Sequence, residues 1–299
     1  MAGPSPQPPR TTAPKTSQKP GLKPDLATLG GIALAMLGII GGLLLEHGSI
    51  SDVAQTTAAM IVMGGTFGAV LVTTPLPVFL RALQGLGSAF FERGSSVPAM
   101  IETLIGYATK ARKNGIVSLE SEAAAITDPF LRKAVNLAVD GTDLQEIRKM
   151  MELDIALCEQ VSEEEAKVWE AAGGYAPTIG IIGAVMGLIQ VMKNLDDIKA
   201  VGHGIAVAFV ATVYGVASAN IFFLPVANKL KARIRAETLL KDLILEGVVG
   251  IVEGLNPTLI RLKLEAYNRD SKSTGKTGAG AGPDAKSKSG AAPPGKSPK

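Results

Sequence analysis

Two apolar stretches of the sequence carry the side chains that could line a path for an ion. They span Gly173–Met192 and Val201–Asn228, and neither contains Asp, Glu, Lys or Arg. Each is long enough to cross a bilayer, which takes about 20 apolar residues. The polar chemistry left within them is sparse and consists chiefly of Pro177, Thr178, Thr212 and Pro225.

These four residues have the chemistry of a channel wall. A proline inside a helix removes one backbone N–H and leaves a carbonyl unpaired, and a threonine hydroxyl offers oxygen to a cation or a water. In lipid such groups must be satisfied by protein or by a water-filled cavity. The pattern therefore predicts a lined ion path. The alternatives are a hydroxyl bonded to its own helix for each threonine, and a simple kink for each proline.

A path with these walls has no ion carrier of its own. Intramembrane carboxylates mark ion relays, because the cost of burying a charge in lipid is tolerated only for function. The two stretches contain no such carboxylate. The sequence therefore predicts a channel subunit whose acid comes from a second polypeptide.

Two further apolar stretches raise the number of predicted spans to four. Leu26–Leu45 is uninterrupted, and another span lies within Val53–Leu80. A signal peptide is the alternative for the first, but the run is longer than a signal core and no small-residue cleavage site follows. Lys and Arg flank the spans mainly at the two tails, the middle segment and the segment after residue 228. The positive-inside rule therefore predicts that both termini and the middle segment are cytoplasmic.

The prediction is an all-α integral membrane protein with four transmembrane helices and a helical cytoplasmic domain between the second and third spans. Its predicted segments are a disordered cytoplasmic tail (1–24), spans one and two (25–80), the helical domain (81–170), spans three and four (171–228), a cytoplasmic C-terminal helix (229–267) and a disordered basic tail (268–299).

Local signals place several helix ends. Asn114-Gly115 and Gly254 are expected to end helices. Thr142, with Gln145 three positions on, resembles a capping box, from which one helix is expected to run into the third span. Small residues four apart, which allow close helix packing in lipid, occur in three spans. These pairs are Gly38 and Gly42, Gly64 and Gly68, and Gly183 and Gly187.

The composition argues against an enzyme or a metal protein. His47 and His203 are the only histidines, and Cys158 is the only cysteine, so a catalytic triad or a zinc site lacks the necessary residues. We expect the Cys158 thiol to be packed on an amphipathic helix, and no cofactor to be bound. The basic tails lack interleaved aromatic residues. They are therefore expected to attract anionic lipid headgroups and not to bind nucleic acid.

Several motifs in order resemble the MotA/PomA family, the A-subunits of bacterial flagellar motor stators within the MotA/TolQ/ExbB proton channel superfamily. The similarity covers about Asp25 to Tyr267. The motifs are Asp25–Leu29 (DLATL), Lys110–Glu120 (KARKNGIVSLE), Asp154–Leu157 (DIAL), Ala176–Ile189 (APTIGIIGAVMGLI), Ala211–Gly215 (ATVYG) and Phe223–Leu230 (FLPVANKL).

The resemblance implies an assembly in the bacterial inner membrane. Five copies of the chain would form a ring around two B-subunits of the MotB/PomB type. Each B-subunit would supply an intramembrane Asp and a peptidoglycan anchor. The assembly would convert ion-motive force into torque on the rotor.

The resemblance also assigns roles to individual residues of the ion route. Pro177 and Pro225 match the family's two functional prolines, and Thr212 matches the threonine that faces the ion. The sodium-type members that this chain resembles have Gly-Thr at the positions that match Gly183-Ala184. Because the Ala184 side chain supplies no oxygen, the resemblance favours H⁺ as the transported ion over Na⁺.

The rotor contact is likewise implied by the resemblance. Arg112 and Glu120 match the charged pair that engages the rotor protein FliG, and Lys113 matches a charge found in some members. Ser121 and Ala123 depart from the sodium-type pattern, in which those positions carry further acids.

Two alternatives to the stator function remain. One is an ExbB/TolQ-type proton-channel subunit that energises outer-membrane processes, although such proteins usually have three spans. The other is a non-conducting membrane adaptor whose middle segment binds a cytoplasmic partner. An adaptor would tolerate loss of the Thr212 hydroxyl, whereas a stator would lose motility.

Overall fold

The computed structural model describes residues 22–93 and 96–277. Four of its helices are long and apolar enough to cross a membrane, namely Leu26–Leu45, Thr56–Thr73, Leu144–Lys193 and Ile198–Val252. The chain is therefore a multi-pass membrane protein, and its fold class is all-α as predicted. The segments predicted as disordered tails lie outside the described residues for the most part, although the last helix continues to Thr277.

The helices follow one another through short connections. In chain order they are α1 Leu26–Leu45, α2 Ile50–Val53, α3 Thr56–Ala59, α4 Gly65–Thr73, α5 Leu76–Phe90, α6 Val97–Asn114, α7 Glu120–Ala123, α8 Pro129–Val139, α9 Leu144–Lys193, α10 Ile198–Ala217, α11 Leu224–Val252 and α12 Pro257–Thr277. π-helical segments join α3 to α4 (Met60–Gly64) and α10 to α11 (Ser218–Phe223), and a 3-10 turn, Ile116–Leu119, precedes α7.

A short antiparallel ribbon is the exception to the helical fold in the described part of the chain. Strand β1, Leu22–Pro24, pairs with strand β2, Phe91–Arg93. The backbone N–H of Asp25 donates to the carbonyl of Phe90 at 2.9 Å, which continues the pairing. The ribbon ties the start of α1 to the end of α5.

Acidic and hydroxyl side chains begin five of the helices by accepting a backbone N–H of the first turn. They are Asp25 for α1, Ser96 for α6, Asp128 for α8, Asp143 for α9 and Asp197 for α10. The capping box predicted at Thr142 is therefore wrong by one residue. Asp143 caps α9 instead, because its carboxylate accepts from the N–H of Gln145 at 2.9 Å. The predicted long helix is confirmed, since α9 runs for 50 residues.

Glycines with positive φ end three helices of the domain at one place. Gly115 follows α6, Gly141 follows α8 and Gly254 follows α11, with φ of 80°, 73° and 71°. Glycine adopts this conformation without the steric cost of a Cβ. The predicted helix ends at Gly115 and Gly254 are confirmed. All three helix ends border a cavity of about 310 Å³ at the tip of the domain.

The helical domain has a core of its own. It is built from α6, α8, the first part of α9, the last part of α11 and α12, with Leu104, Ile147 and Leu243 fully buried. A second cluster lies nearer the spans. There Trp169 packs on Phe222 and Phe223, and its Nε1–H donates to the carbonyl of Ala82 on α5 at 3.3 Å. This cluster connects the domain to the membrane helices.

Candidate functional site

The candidate ion route follows the seam between α9 and α10, where glycines allow the two backbones to meet. A Cβ on Gly215 would lie 2.6 Å from the carbonyl oxygen of Ala176, and a Cβ on Gly180 would lie 2.9 Å from that of Ala211. Gly187 approaches Gly204 equally closely. Of the three small-residue pairs, only Gly183 and Gly187 contact a neighbouring helix in this way. At the other two pairs, a methyl group added to either glycine would meet no atom of the described residues within 4 Å.

The seam brings three of the predicted residues together. The Cα of Thr212 lies 3.5 Å from the Cβ position of Gly180, less than one turn of helix after Pro177. One turn further along α9, Gly183 contacts Ala211, and the half-buried Ala184 follows it. Pro177, Ala184 and Thr212 therefore share one stretch of the seam.

Both threonine hydroxyls donate to their own helix. Thr178 Oγ1 donates to the carbonyl of Tyr175 at 2.7 Å, and Thr212 Oγ1 donates to that of Ala208 at 3.2 Å. The alternative given in the sequence analysis, a hydroxyl bonded to its own helix, is therefore correct for the hydrogen of each hydroxyl. Each oxygen still has lone pairs with which to accept a hydrogen bond. Thr212 also borders a shallow, apolar groove of about 390 Å³ between α1 and α10.

The two prolines lie at one level of the bundle. Pro177 has no N–H, so the carbonyl of Gly173 lacks its usual partner within α9. A Cβ on Gly173 would lie 2.5 Å from the Leu224 side chain, and Leu224 is followed by Pro225, which is exposed in the first turn of α11. The carbonyl that lacks its usual helical partner and Pro225 therefore lie at about the same level, near one end of the seam.

Backbone irregularities missed by the sequence reasoning lie on the neighbouring helices. The π-helical segments Met60–Gly64 and Ser218–Phe223 interrupt the second and fourth spans, and such segments are frequent at functional sites. Thr66, next to the first of them, is fully buried, and its Oγ1 has no hydrogen-bond partner within the described residues. The adjacent Gly64-Gly65 was the only available signal in the sequence.

An ion cluster at the start of α1 was also missed. The Asp25 carboxylate caps α1 and pairs with Lys229 and, at 3.6 Å, with Arg233. The hydrogen bond from Lys229 outweighs burial and lowers the pKa of Asp25 from 3.8 to about 2. This cluster fixes the first span to the helix that emerges from the fourth.

The predicted rotor-facing charges lie at the tip of the domain. Arg112 and Lys113 end α6, Glu120 begins α7, and all three are exposed. Nearby, Lys110 pairs with Glu122 at 2.7 Å. Arg112, Lys113 and Glu120 form no ion pair with the described residues, and Arg112 borders the cavity at the tip of the domain. Their charges are therefore available to a partner.

The described residues contain no cluster of three or more side chains suited to a metal ion. The expectation that Cys158 is packed is wrong. Its side chain is exposed, with Sγ 3.8 Å from Asp154 Oδ1.

Comparison with known proteins identifies the family. The chemotaxis protein PomA of Vibrio alginolyticus is 35% identical over 252 residues, which cover 83% of this chain and 97% of that protein. The sequence pattern of the MotA/TolQ/ExbB proton channel family matches residues 122–242. The chain belongs to this family.

Two solved structures agree with this membership of the MotA/TolQ/ExbB family. The structure of C. jejuni MotAB has a TM-score of 0.78 at 35% identity and covers 81% of this chain and 95% of that one. The flagellar MotAB stator complex from Bacillus subtilis has a TM-score of 0.76 at 32% identity, with 83% and 98% covered. The chain is accordingly a flagellar stator A-subunit and not an enzyme.

Proposed function

We propose that this stator subunit forms one side of a proton path along the α9–α10 seam and that a B-subunit completes it. The observation that carries the proposal is chemical. The seam holds hydroxyl oxygens and a backbone carbonyl that lacks its usual helical partner, yet its spans contain no ionisable carboxylate. A B-subunit of the MotB type would bring one intramembrane Asp to this wall, and the similar solved structures are those of MotAB complexes.

The proposed cycle depends on the charge of that Asp. Protonation neutralises the carboxylate, which then no longer demands strong hydrogen-bond donors or water. Its fit beside Thr212, Pro177 and Pro225 changes with each proton taken up and released. A ring of five A-subunits would turn by one step around two B-subunits, which the peptidoglycan holds still.

The transported ion is proposed to be H⁺. A dehydrated Na⁺ needs several oxygen ligands, and Ala184 contributes no side-chain oxygen to the seam. A proton needs only the partner's carboxylate and an accepting oxygen, which Thr212 can provide.

Torque is proposed to pass through the charges at the tip of the domain. Arg112, Lys113 and Glu120 would engage charges of opposite sign on FliG. Exposed ion pairs are individually weak, about 0–1 kcal/mol, which suits contacts that form and release at each step. This function requires the domain and both termini to lie in the cytoplasm, at the inner membrane.

Proton uptake by reconstituted vesicles tests the proposal. The chain is co-purified with its B-subunit, placed in liposomes, and driven by a potassium diffusion potential. We expect uptake that depends on the B-subunit's Asp and on Thr212. Full uptake by this chain alone would overturn the proposal. Normal assembly together with normal swimming of cells that carry the Thr212→Ala variant would also overturn it.

A further inference from the structure

An exposed amide interrupts the apolar surface of the fourth span. The exposed side chains among residues 213–227 are those of Val213, Val216, Asn220 and Pro225, so Asn220 alone carries polar atoms there. A polar group at membrane depth is costly unless protein or a water-filled cavity satisfies it. The Asn220 side chain therefore requires a polar or wet surface beside it in the assembled complex.

The Asn220 amide has unused hydrogen-bonding capacity. Its Nδ2 donates to the carbonyl of Val216, one turn earlier, at 2.9 Å. The described residues offer no partner to its second N–H or to Oδ1, which has two lone pairs. One side chain thus presents both a donor and an acceptor. A bound water needs two to four such polar partners, and this side chain supplies two of them.

Asn220 lies between Thr212 and the charged end of the span. It follows Thr212 by eight residues, about 12 Å along the helix, and it precedes Lys229, which pairs with the α1 cap Asp25, by nine residues, about 14 Å. Positions eight apart lie on one side of a helix, and Thr212 and Asn220 both border the groove between α1 and α10. The amide therefore divides the distance from Thr212 to Lys229 into two shorter steps.

Two backbone irregularities coincide near Asn220. The residue belongs to the π-helical segment that joins α10 to α11, and such segments are frequent at functional sites. On either side of it, Gly215 packs on α9 at Ala176, and Leu224 packs on α9 at Gly173. Asn220 is therefore close to the level of the Gly173 carbonyl, which lacks its usual helical partner.

We propose that Asn220 holds a water on the proton path, so that a proton released beside Thr212 can pass on toward the helical domain. This inference rests on the proposed function and adds a second polar residue to the path. The water donates one proton onward as it receives another, so the amide itself gains no charge and forms no covalent bond.

Proton uptake by vesicles that hold the complete complex with its B-subunit tests this role. Asn220→Leu keeps a similar volume but removes both polar groups, whereas Asn220→Ser retains a hydroxyl that can bind a water. Ser218→Ala is the control within the same π-helical segment, because the Ser218 hydroxyl already donates to the carbonyl of Gly215 at 3.2 Å. Uptake is compared at equal amounts of assembled complex.

We expect uptake to be about tenfold slower for Asn220→Leu, the loss that one missing hydrogen-bonded link would cause. Asn220→Ser should recover much of the rate, and Ser218→Ala should conduct normally. Equal uptake by Asn220→Leu and the parent would overturn the proposal. Equal losses in Asn220→Leu and Asn220→Ser would do the same, because they would assign Asn220 to packing and not to a water.

Thr212→Val, measured alongside, distinguishes a failure of this inference from a failure of the proposed function. Normal uptake by Thr212→Val would count against the path as a whole. Normal uptake by Asn220→Leu, together with reduced uptake by Thr212→Val, would count only against the water at Asn220.

Discussion

The Thr212 hydroxyl can support a helix and a proton path at once. Its hydrogen is directed to the carbonyl of Ala208, which leaves the oxygen free to accept. The same holds for Thr73 at the end of α4, whose hydroxyl bonds Val70 at 3.1 Å but lies away from the α9–α10 seam. Substituting each residue in turn therefore separates the effect of losing a helix-bonded hydroxyl from the effect of losing a hydroxyl at the seam.

Thr212→Val should lower proton uptake and swimming speed at least about tenfold, equivalent to about 1.4 kcal/mol, because the path loses an accepting oxygen. Vesicle uptake and the yield of assembled complex are both measured. Thr73→Val is the matched control and should conduct normally. Equal losses in the two variants would contradict a role for Thr212 in the path.

Ala184→Thr should make swimming respond to sodium. The new hydroxyl places an oxygen beside the seam near Gly183, where a dehydrated Na⁺ could use it. Swimming speed is measured against sodium concentration at constant pH, with Ala184→Val as the control of similar shape. If the swimming speeds of the Ala184→Thr and Ala184→Val variants depend on sodium in the same way, the side-chain oxygen at this position does not determine which ion is transported.

Asp25→Asn should lower the melting temperature at pH 7. The folded-state pKa of Asp25, about 2, lies below its ordinary value of 3.8, so the ionised form stabilises the fold above pH 3.8. That contribution falls as pH drops from 3.8 through about 2. Melting curves of the purified protein should show a constant difference from pH 5 to 8 that shrinks below pH 4. A difference that persists at pH 2 would show that the ion cluster is not its source.

At the scale of elements, the spans and the long α9 follow from the sequence, because apolar length and helical spacing are local properties. Contacts across the chain do not. Asp25 and Lys229 are far apart in sequence, and no local pattern pairs them. Small-residue spacing also failed to distinguish Gly38, where an added methyl group would contact none of the described residues, from Gly187, where it would contact the backbone of α10.

The same limit applies to the candidate site. Pro177 and Thr212 could be selected from the sequence because polar groups are rare in apolar runs. The π-helical segment at Met60–Gly64 could not, since a π turn depends on packing and not on any residue type. Thr66 could not be selected either, because the burial of its Oγ1 without a hydrogen-bond partner among the described residues depends on how the helices pack.

Gly215→Ala should destabilise the bundle by about 1–3 kcal/mol, the usual cost of overpacking, because the methyl group would press on the Ala176 carbonyl. Gly38→Ala, in an open position of α1, should be neutral or stabilising by up to about 1 kcal/mol. Thermal unfolding in detergent compares the two variants. A Gly215→Ala protein as stable as the parent would mean that α9 and α10 can separate without cost.

For the whole molecule, the chemistry in the membrane and the charges at the tip should be separable. Arg112→Glu should sharply reduce swimming while proton uptake in vesicles stays unchanged, because the residue lies at the end of α6, outside the spans. Arg132→Glu, an equal charge change on the exposed face of α8, is the control. A loss of proton uptake in Arg112→Glu would argue that the tip serves assembly and not torque.

One unbroken helix joins those two ends. From Pro177 to its start at Leu144, α9 covers about 50 Å at 1.5 Å per residue. A rigid rod of that length amplifies angles, so tilting it by about 10° at the proline carries its far end sideways by roughly 9 Å. A small change of tilt that follows the neutralisation of one carboxylate could thus move the far end of α9 by about the width of a helix, without any hinge in between.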